Sequence, residues 1–272
     1  MKSYLKLIAI LLLPLAFIIW YASSPLQLPP PGWKLSKAPS SLTPTLSKGE
    51  GDSPSPAISK GDEDTSAPSP PPLEGTGEAV PLPDTTSQRI LFFGDSMVEG
   101  LLRRMNCYAF AGNHQITNVV WYSSTTEIWA KTDTLRYFLN QVKPTFAMIS
   151  IGANEQFVKD ANSREPYIRK ILSELGDTPF VWIGVPAWKE DTGINDLTQH
   201  VVGKNRYFDS RSLNLRRGRD HMHPTFSAAS EWMDSVALWM ASPATAHPIR
   251  MTPPTDGQPH TYRTYALQPI RN

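Results

Sequence analysis

The sequence predicts an α/β protein, a three-layer α/β/α sandwich on a five-stranded parallel sheet, and three observations lead there. After Gln88, runs of about five apolar residues alternate with stretches of helical periodicity, as expected of strands buried on both faces between covering helices. Before Gln88 that alternation is absent and proline dominates, with 14 of the 26 prolines between Pro25 and Pro83. Polar motifs that could carry chemistry stand directly after the apolar runs, where ligands gather at the carboxyl ends of parallel strands.

The chain divides into four parts: 1–23, 24–87, 88–242 and 243–272. From Tyr4 to Ala22 an apolar run is broken only by Lys6. It is long enough to span a bilayer, with Lys6 close enough to one end to snorkel. Lys2 and Lys6 precede the run, the next cation is Lys34, and Trp20 and Tyr21 stand at its outer end. The positive-inside bias then leaves the amino terminus in the cytoplasm and the rest outside. A single-pass anchor with an extracytoplasmic domain, periplasmic or extracellular, is the expectation; a cleaved signal peptide would share the same export logic. Residues 24–87 lack apolar clusters and are rich in Pro, Ser, Gly and Thr, a composition that buries too little surface to offset its ordering entropy and reads as a disordered tether.

The five expected strands are Ile90–Gly94, Asn118–Tyr122, Phe146–Gly152, Phe180–Pro186 and the weaker Arg206–Ser210. Between them "MVEGLLRRM", "TDTLRYFLNQV", "REPYIRKILSEL" and "INDLTQHVV" have helical spacing, and "SAASEWMDSVALWM" follows the last strand. The proline-rich segment 243–272 reads as unstructured or loosely attached.

Composition narrows the function classes. A net charge of +1 gives no sign of a nucleic-acid partner, and the single cysteine, Cys107, rules out an internal disulfide framework and a cysteine-rich zinc site. His221 and His223 form an H-x-H, but nothing nearby completes a metal site, so neither metal nor cofactor is expected.

Ser96, in "GDS", falls between the first strand and the first helix, where free backbone N–H groups favour developing negative charge. The plainer reading is that Asp95 or Ser96 caps the helix. Asn154, in "SIGANEQF", follows the third strand, and an amide there can donate to an oxyanion. Asp220 and His223 lie three apart just before the final helix, a spacing that lets a carboxylate orient an imidazole. Trp129 and Trp188 follow strand ends, where an indole could stack on a sugar or anchor a loop. "RSLNLRRGR" reads either as a solvated loop or as an attractor of anionic polymer.

Gly-Asp-Ser, Gly-x-Asn and Asp-x-x-His in this order resemble the SGNH (GDSL-type) hydrolases over roughly Gln88 to Trp239. The resemblance implies a flavodoxin-like sandwich with Ser96 as nucleophile, His223 as base, Asp220 as its partner, and the Ser96 amide and Asn154 as oxyanion donors. Two positions depart from the family pattern. No glycine follows the second strand, so the amide of Thr126 or Thr125 is left to complete the oxyanion hole; Glu155 stands where the family has aspartate, with modest consequences expected. The resemblance implies an esterase, lipase, deacetylase or acyltransferase; with the anchor and the long tether, which suits scanning a wall or capsule polymer, the expectation is a serine esterase that removes acyl groups, O-acetyl foremost, from a cell-envelope polysaccharide. Two alternatives stay open: an O-acyltransferase working with a membrane acyl donor, and a catalytically silent binding or scaffold domain.

Overall fold

The computed structural model describes residues 82–270. The anchor reading of 1–23 and most of the tether reading of 24–87 lie outside these residues. Among the described residues no helix is long and apolar enough to cross a membrane.

The strands are β1 (Arg89–Gly94), β2 (Gln115–Trp121), β3 (Phe146–Ser150), β4 (Phe180–Ile183), β5 (Tyr207–Phe208) and β6 (Arg263–Leu267). All pair in parallel, in the order β5-β4-β3-β1-β2-β6. The inner order 2-1-3-4-5 is that of flavodoxin-like sheets. The helices are α1 (Met97–Ala111), α2 (Thr126–Lys131), α3 (Thr134–Val142), α4 (Glu165–Leu175), α5 (Ile194–Val202) and α6 (Phe226–Met240).

Alternate residues of β1 serve opposite faces, as the period of a strand requires. Ile90 and Phe92 join Leu101 and Met105 of α1 and Trp232, Met233 and Val236 of α6 in one core. Phe93, on the other side, packs its ring against Trp129 of α2 at 4.9 Å between centroids. Each large apolar side chain so enclosed contributes about 1.5–3 kcal/mol. Both faces of β1 are therefore buried, and the Gly-Asp-Ser motif stands at its carboxyl end.

The sheet has six strands, not five, and the sixth comes from the segment expected to be unstructured or loosely attached. β6 pairs with β2 from Thr117↔Arg263 to Trp121↔Leu267. Trp121 donates its indole N–H to the Gln268 carbonyl at 3.0 Å, and Ile249 and Met251 are buried. The physical cause is the outer edge of β2, whose unpaired N–H and C=O groups are satisfied by this strand. The tether boundary shifts too, because Asp84 forms a parallel bridge to Ile249: Asp84 N–H donates to the Pro248 carbonyl and Arg250 N–H to that of Asp84, each at 2.8 Å.

His114 holds these two ends together. Its Nδ1 accepts the Gln88 N–H at 3.0 Å and its Nε2 donates to the Arg250 carbonyl at 2.8 Å. The ring is buried and must be neutral to accept at Nδ1, and burial lowers its pKa from 6.5. A depressed histidine contributes stability that is complete above its unfolded pKa and lost as pH falls below it. Thermal melts of the full-length chain across the range from about pH 8 to about pH 5 should show wild type losing stability toward acid relative to His114→Gln, whose amide does not titrate. Parallel pH profiles for the two proteins would contradict this role.

Candidate active site

β1 ends at Gly94, which pairs with Ser150 at the end of β3. A Cβ added there would lie 1.9 Å from the Ser150 carbonyl oxygen, so only glycine fits. The next residue, Asp95, turns its carboxylate inward. Oδ1 accepts the Met97 N–H at 3.0 Å, and Oδ2 accepts the N–H groups of Gly152 and Ala153, each at 3.0 Å. Burial of this carboxyl pushes its pKa up to about 6, against the pull of those three donors.

Asp95 thereby satisfies the first turn of α1, and Ser96 does not. The Ser96 side chain makes no capping hydrogen bond, although it occupies the N-cap position. Its Oγ lies 2.8 Å from His223 Nε2. His223 Nδ1 lies 2.6 Å from Asp220 Oδ2. The carboxylate requires a proton on Nδ1, which leaves Nε2 to accept from the serine hydroxyl. Asp220 Oδ1 accepts the Met222 and His223 N–H groups at 3.0 Å each. The His223 hydrogen bond, with these two amides, lowers the Asp220 pKa to about 2. Ser96 and the His223–Asp220 pair, more than a hundred residues apart in sequence, form one hydrogen-bonded series.

The three groups expected to donate to an oxyanion differ in whether their N–H groups are free. The Ser96 N–H has no hydrogen-bond partner among the described residues. Asn154 Nδ2 donates one proton to the Ser124 carbonyl at 2.9 Å, which orients the amide and leaves its second proton. Thr126 is not a donor to an oxyanion. Its N–H is bound to Glu155 Oε2 and its hydroxyl to Glu155 Oε1, both at 2.8 Å, and the residue is fully buried. Thr125 remains: its hydroxyl caps α2 by accepting the Ile128 N–H at 3.2 Å, while its own N–H has no partner among the described residues. Just before it, Ser123 adopts φ 58°, the left-handed conformation for which a glycine would have been the easier residue.

Glu155 is more than a substitute for aspartate. Besides Thr126, it has Arg164 Nε 3.1 Å from Oε1, and Arg164 goes on to pair with Glu127 at 2.8 Å. Burial raises the Glu155 pKa, opposed by the Thr126 bonds and the Arg164 charge. The longer side chain thus reaches across to close the start of α2 next to Thr125.

The two tryptophans part company. Trp129 is fully buried between Phe93 and Trp121, with its indole N–H on Ser124 Oγ at 2.9 Å, so it offers no face to a sugar. Trp188 is half-buried on the loop after β4. Its indole N–H donates to the Ala153 carbonyl at 3.0 Å, beside Asn154, and its ring meets exposed Phe157 edge-on at 6.2 Å. Lys189 Nζ stands over both rings, 5.0 Å from Trp188 and 5.5 Å from Phe157. Of the four arginines before the base, Arg211 pairs with Asp209 at 2.7 Å and Asp196 at 2.6 Å, whereas Arg216 and Arg219 are exposed with no carboxylate partner among the described residues. His221, at φ 57°, sits exposed in the turn between them and His223.

No family model matches the chain, and no curated protein is similar to it. Among solved structures it is similar to a protein from Desulfitobacterium hafniense DCB-2 described as a putative lipolytic protein of the G-D-S-L family. That likeness has a TM-score of 0.39 and 13% identity, and covers 55% of this chain and 98% of the other. Function is therefore read from the chain's own geometry.

Sequence reasoning missed the tie from Asp95 to the β3 loop and the role of Gln156, whose Oε1 receives the Trp188 N–H at 3.2 Å. Asp95 was visible in the motif, but its partners lie 57 and 58 residues away. Replacing Glu155 by alanine should destabilise the full-length chain by roughly 3 kcal/mol, since the buried Thr126 N–H and the Arg164 charge lose a partner. Glu155→Gln should cost less. Chemical denaturation checks both, and an unchanged midpoint for Glu155→Ala would contradict the role given to this residue.

Proposed function

We propose that the chain is a serine esterase that removes acyl groups, O-acetyl foremost, from a cell-envelope polysaccharide through an acyl-serine intermediate. One observation carries the reading: Ser96, relieved of helix capping by Asp95, is 2.8 Å from an imidazole that is itself oriented by Asp220 at 2.6 Å. As Ser96 Oγ attacks the ester carbonyl carbon, its proton passes to His223 Nε2 and Asp220 stabilises the imidazolium. The carbonyl oxygen becomes an oxyanion facing the Ser96 N–H, the second Asn154 amide proton and the Thr125 N–H. Collapse breaks the ester bond, and His223 returns the proton to the departing sugar hydroxyl. Water, deprotonated by the same imidazole, then releases the acid and regenerates the serine.

Support for a sugar polymer comes from the exposed Phe157 ring and the half-buried Trp188 beside Asn154, surfaces on which pyranose C–H groups can stack. Support for action outside the cytoplasm comes from the apolar run Tyr4–Ala22 and the cations that precede it.

Ser96→Ala in the full-length chain should lower aryl acetate hydrolysis by about 10³-fold or more and abolish labelling by a fluorophosphonate. Because Asp220 keeps its charge down to about pH 2, protonation of this carboxylate should not limit the wild-type rate above about pH 4, and Asp220→Asn should lower the rate throughout that range. Supplying a sugar acceptor with an acetylated donor separates hydrolysis from transfer, since transfer yields acetylated sugar in excess of free acetate. A wild-type protein that takes no label and hydrolyses no aryl acetate would be a silent scaffold, and the esterase reading would fail.

A further inference from the structure

The hairpin that carries the base is closed on itself. Gly218 N–H donates to the His223 carbonyl at 2.8 Å, His221 N–H to that of Gly218 at 3.1 Å, and Thr225 N–H to that of Arg216 at 2.9 Å. Asp220 Oδ1 fastens the Met222 and His223 amides at 3.0 Å each. These bonds fix the shape of the hairpin and leave its position undetermined. Met222 packs on the core, a contact without direction.

Among the described residues, only two side chains between 216 and 224 hydrogen-bond out of the hairpin: His223 itself, to Ser96, and Arg217. Arg217 Nη1 donates to the Met222 carbonyl at 2.6 Å, within the hairpin. Its Nη2 donates to the carbonyls of Pro186 and Ala187, at 3.3 and 3.0 Å, in the loop after β4. That loop continues into Trp188, which is bound to Gln156 and Ala153 on either side of Asn154. An unbroken series of polar contacts thus runs from the Asn154 loop through Trp188 and Arg217 to the residue before His223.

No carboxylate pairs directly with this guanidinium among the described residues. A half-buried arginine held only by carbonyls has given up water without gaining an ion pair, an arrangement that surface solubility does not call for. Its planar fork of donors is the side-chain geometry that can hold two separate loops at once; an ammonium is a point charge.

We propose that Arg217 is a positioning residue, a strut that ties the base hairpin to the β4 loop and so sets where His223 stands relative to Ser96 and Asn154. As a statement about rate this rests on the esterase reading; as a statement about geometry it does not. Both can be measured in the full-length chain on Arg217→Met, Arg217→Lys and Arg217→Ala, with Arg216→Met as control.

The ¹⁵N shift of His223 Nε2 reports the Ser96 hydrogen bond, with Ser96→Ala supplying the unbonded reference. Arg217→Met should move that shift toward the reference and Arg216→Met should leave it in place. In rate, Arg217→Met should lower kcat on aryl acetate by about 30-fold or more, as expected of a base displaced by a fraction of an ångström, with KM changed by less than about threefold. Arg217→Lys should fall between, and added guanidinium should restore part of the activity of Arg217→Ala.

A folded Arg217→Met protein with the wild-type shift, or with kcat within about twofold of wild type, would overturn the proposal. So would a fall in kcat that merely tracks loss of folded protein and is not rescued by guanidinium. Should wild type itself be inactive, the esterase reading fails, and the imidazole shift still decides whether Arg217 is the strut.

Discussion

Three backbone N–H groups converge on the Asp95 carboxylate, and the arrangement of the site follows from where they come from. One belongs to the first turn of α1 and two to the loop after β3. Removing a carboxylate from water costs several kcal/mol, and each charge-assisted bond offsets about 1.5–3 kcal/mol of it. The offset is incomplete, because the pKa still rises to about 6: the carboxylate remains the majority form at neutral pH but is destabilised by roughly 3 kcal/mol relative to the same group in water. That residual cost supports two geometric results. Ser96 is released from capping, and the Asn154 loop is held against the β1–α1 junction. Gly94 makes both possible by letting β1 and β3 approach closely at their ends.

Asp220 and His223 are local partners, three residues apart, so they arrive as one preformed unit. The fold needs a single long-range placement to complete the series, that of the hairpin against Ser96. Ser96, Thr125 and Asn154 stand on elements anchored in the sheet, at the ends of β1, β2 and β3. His223 stands on a short segment beyond the narrow strand β5. Precision in this site is therefore demanded mainly of the hairpin's attachment, and the polar contacts through Trp188 lie on that attachment.

Much of this was legible in the sequence. Five of the strands and the helices α1 and α3 to α6 follow from apolar periodicity, and Ser96, Asn154, Asp220 and His223 follow from motifs placed after strands. What could not be read depended on contacts between distant segments. β6 is a five-residue strand in a proline-rich setting whose formation is decided by the open edge of β2, and strand preference is largely a matter of such context. Thr126 and Thr125 are adjacent and chemically alike. Only the position of Glu155, which occupies the Thr126 amide, separates them. Trp129 and Trp188 each follow a strand, but Trp129 lies on α2, whose inner side packs on Phe93. A distance along the chain could not show which indole faces inward.

Whether the Ser96 hydroxyl attacks an ester is decided by trapping the covalent species. The full-length chain would be mixed with an aryl acetate, quenched in acid within the first turnover and digested for mass spectrometry. The account predicts a single acetyl group, on the peptide containing Ser96 and at that residue, accumulating before steady state and absent from His223→Ala. Turnover with no acetylated Ser96 at any quench time, or acetylation at another residue that proceeds equally in Ser96→Ala, would contradict it.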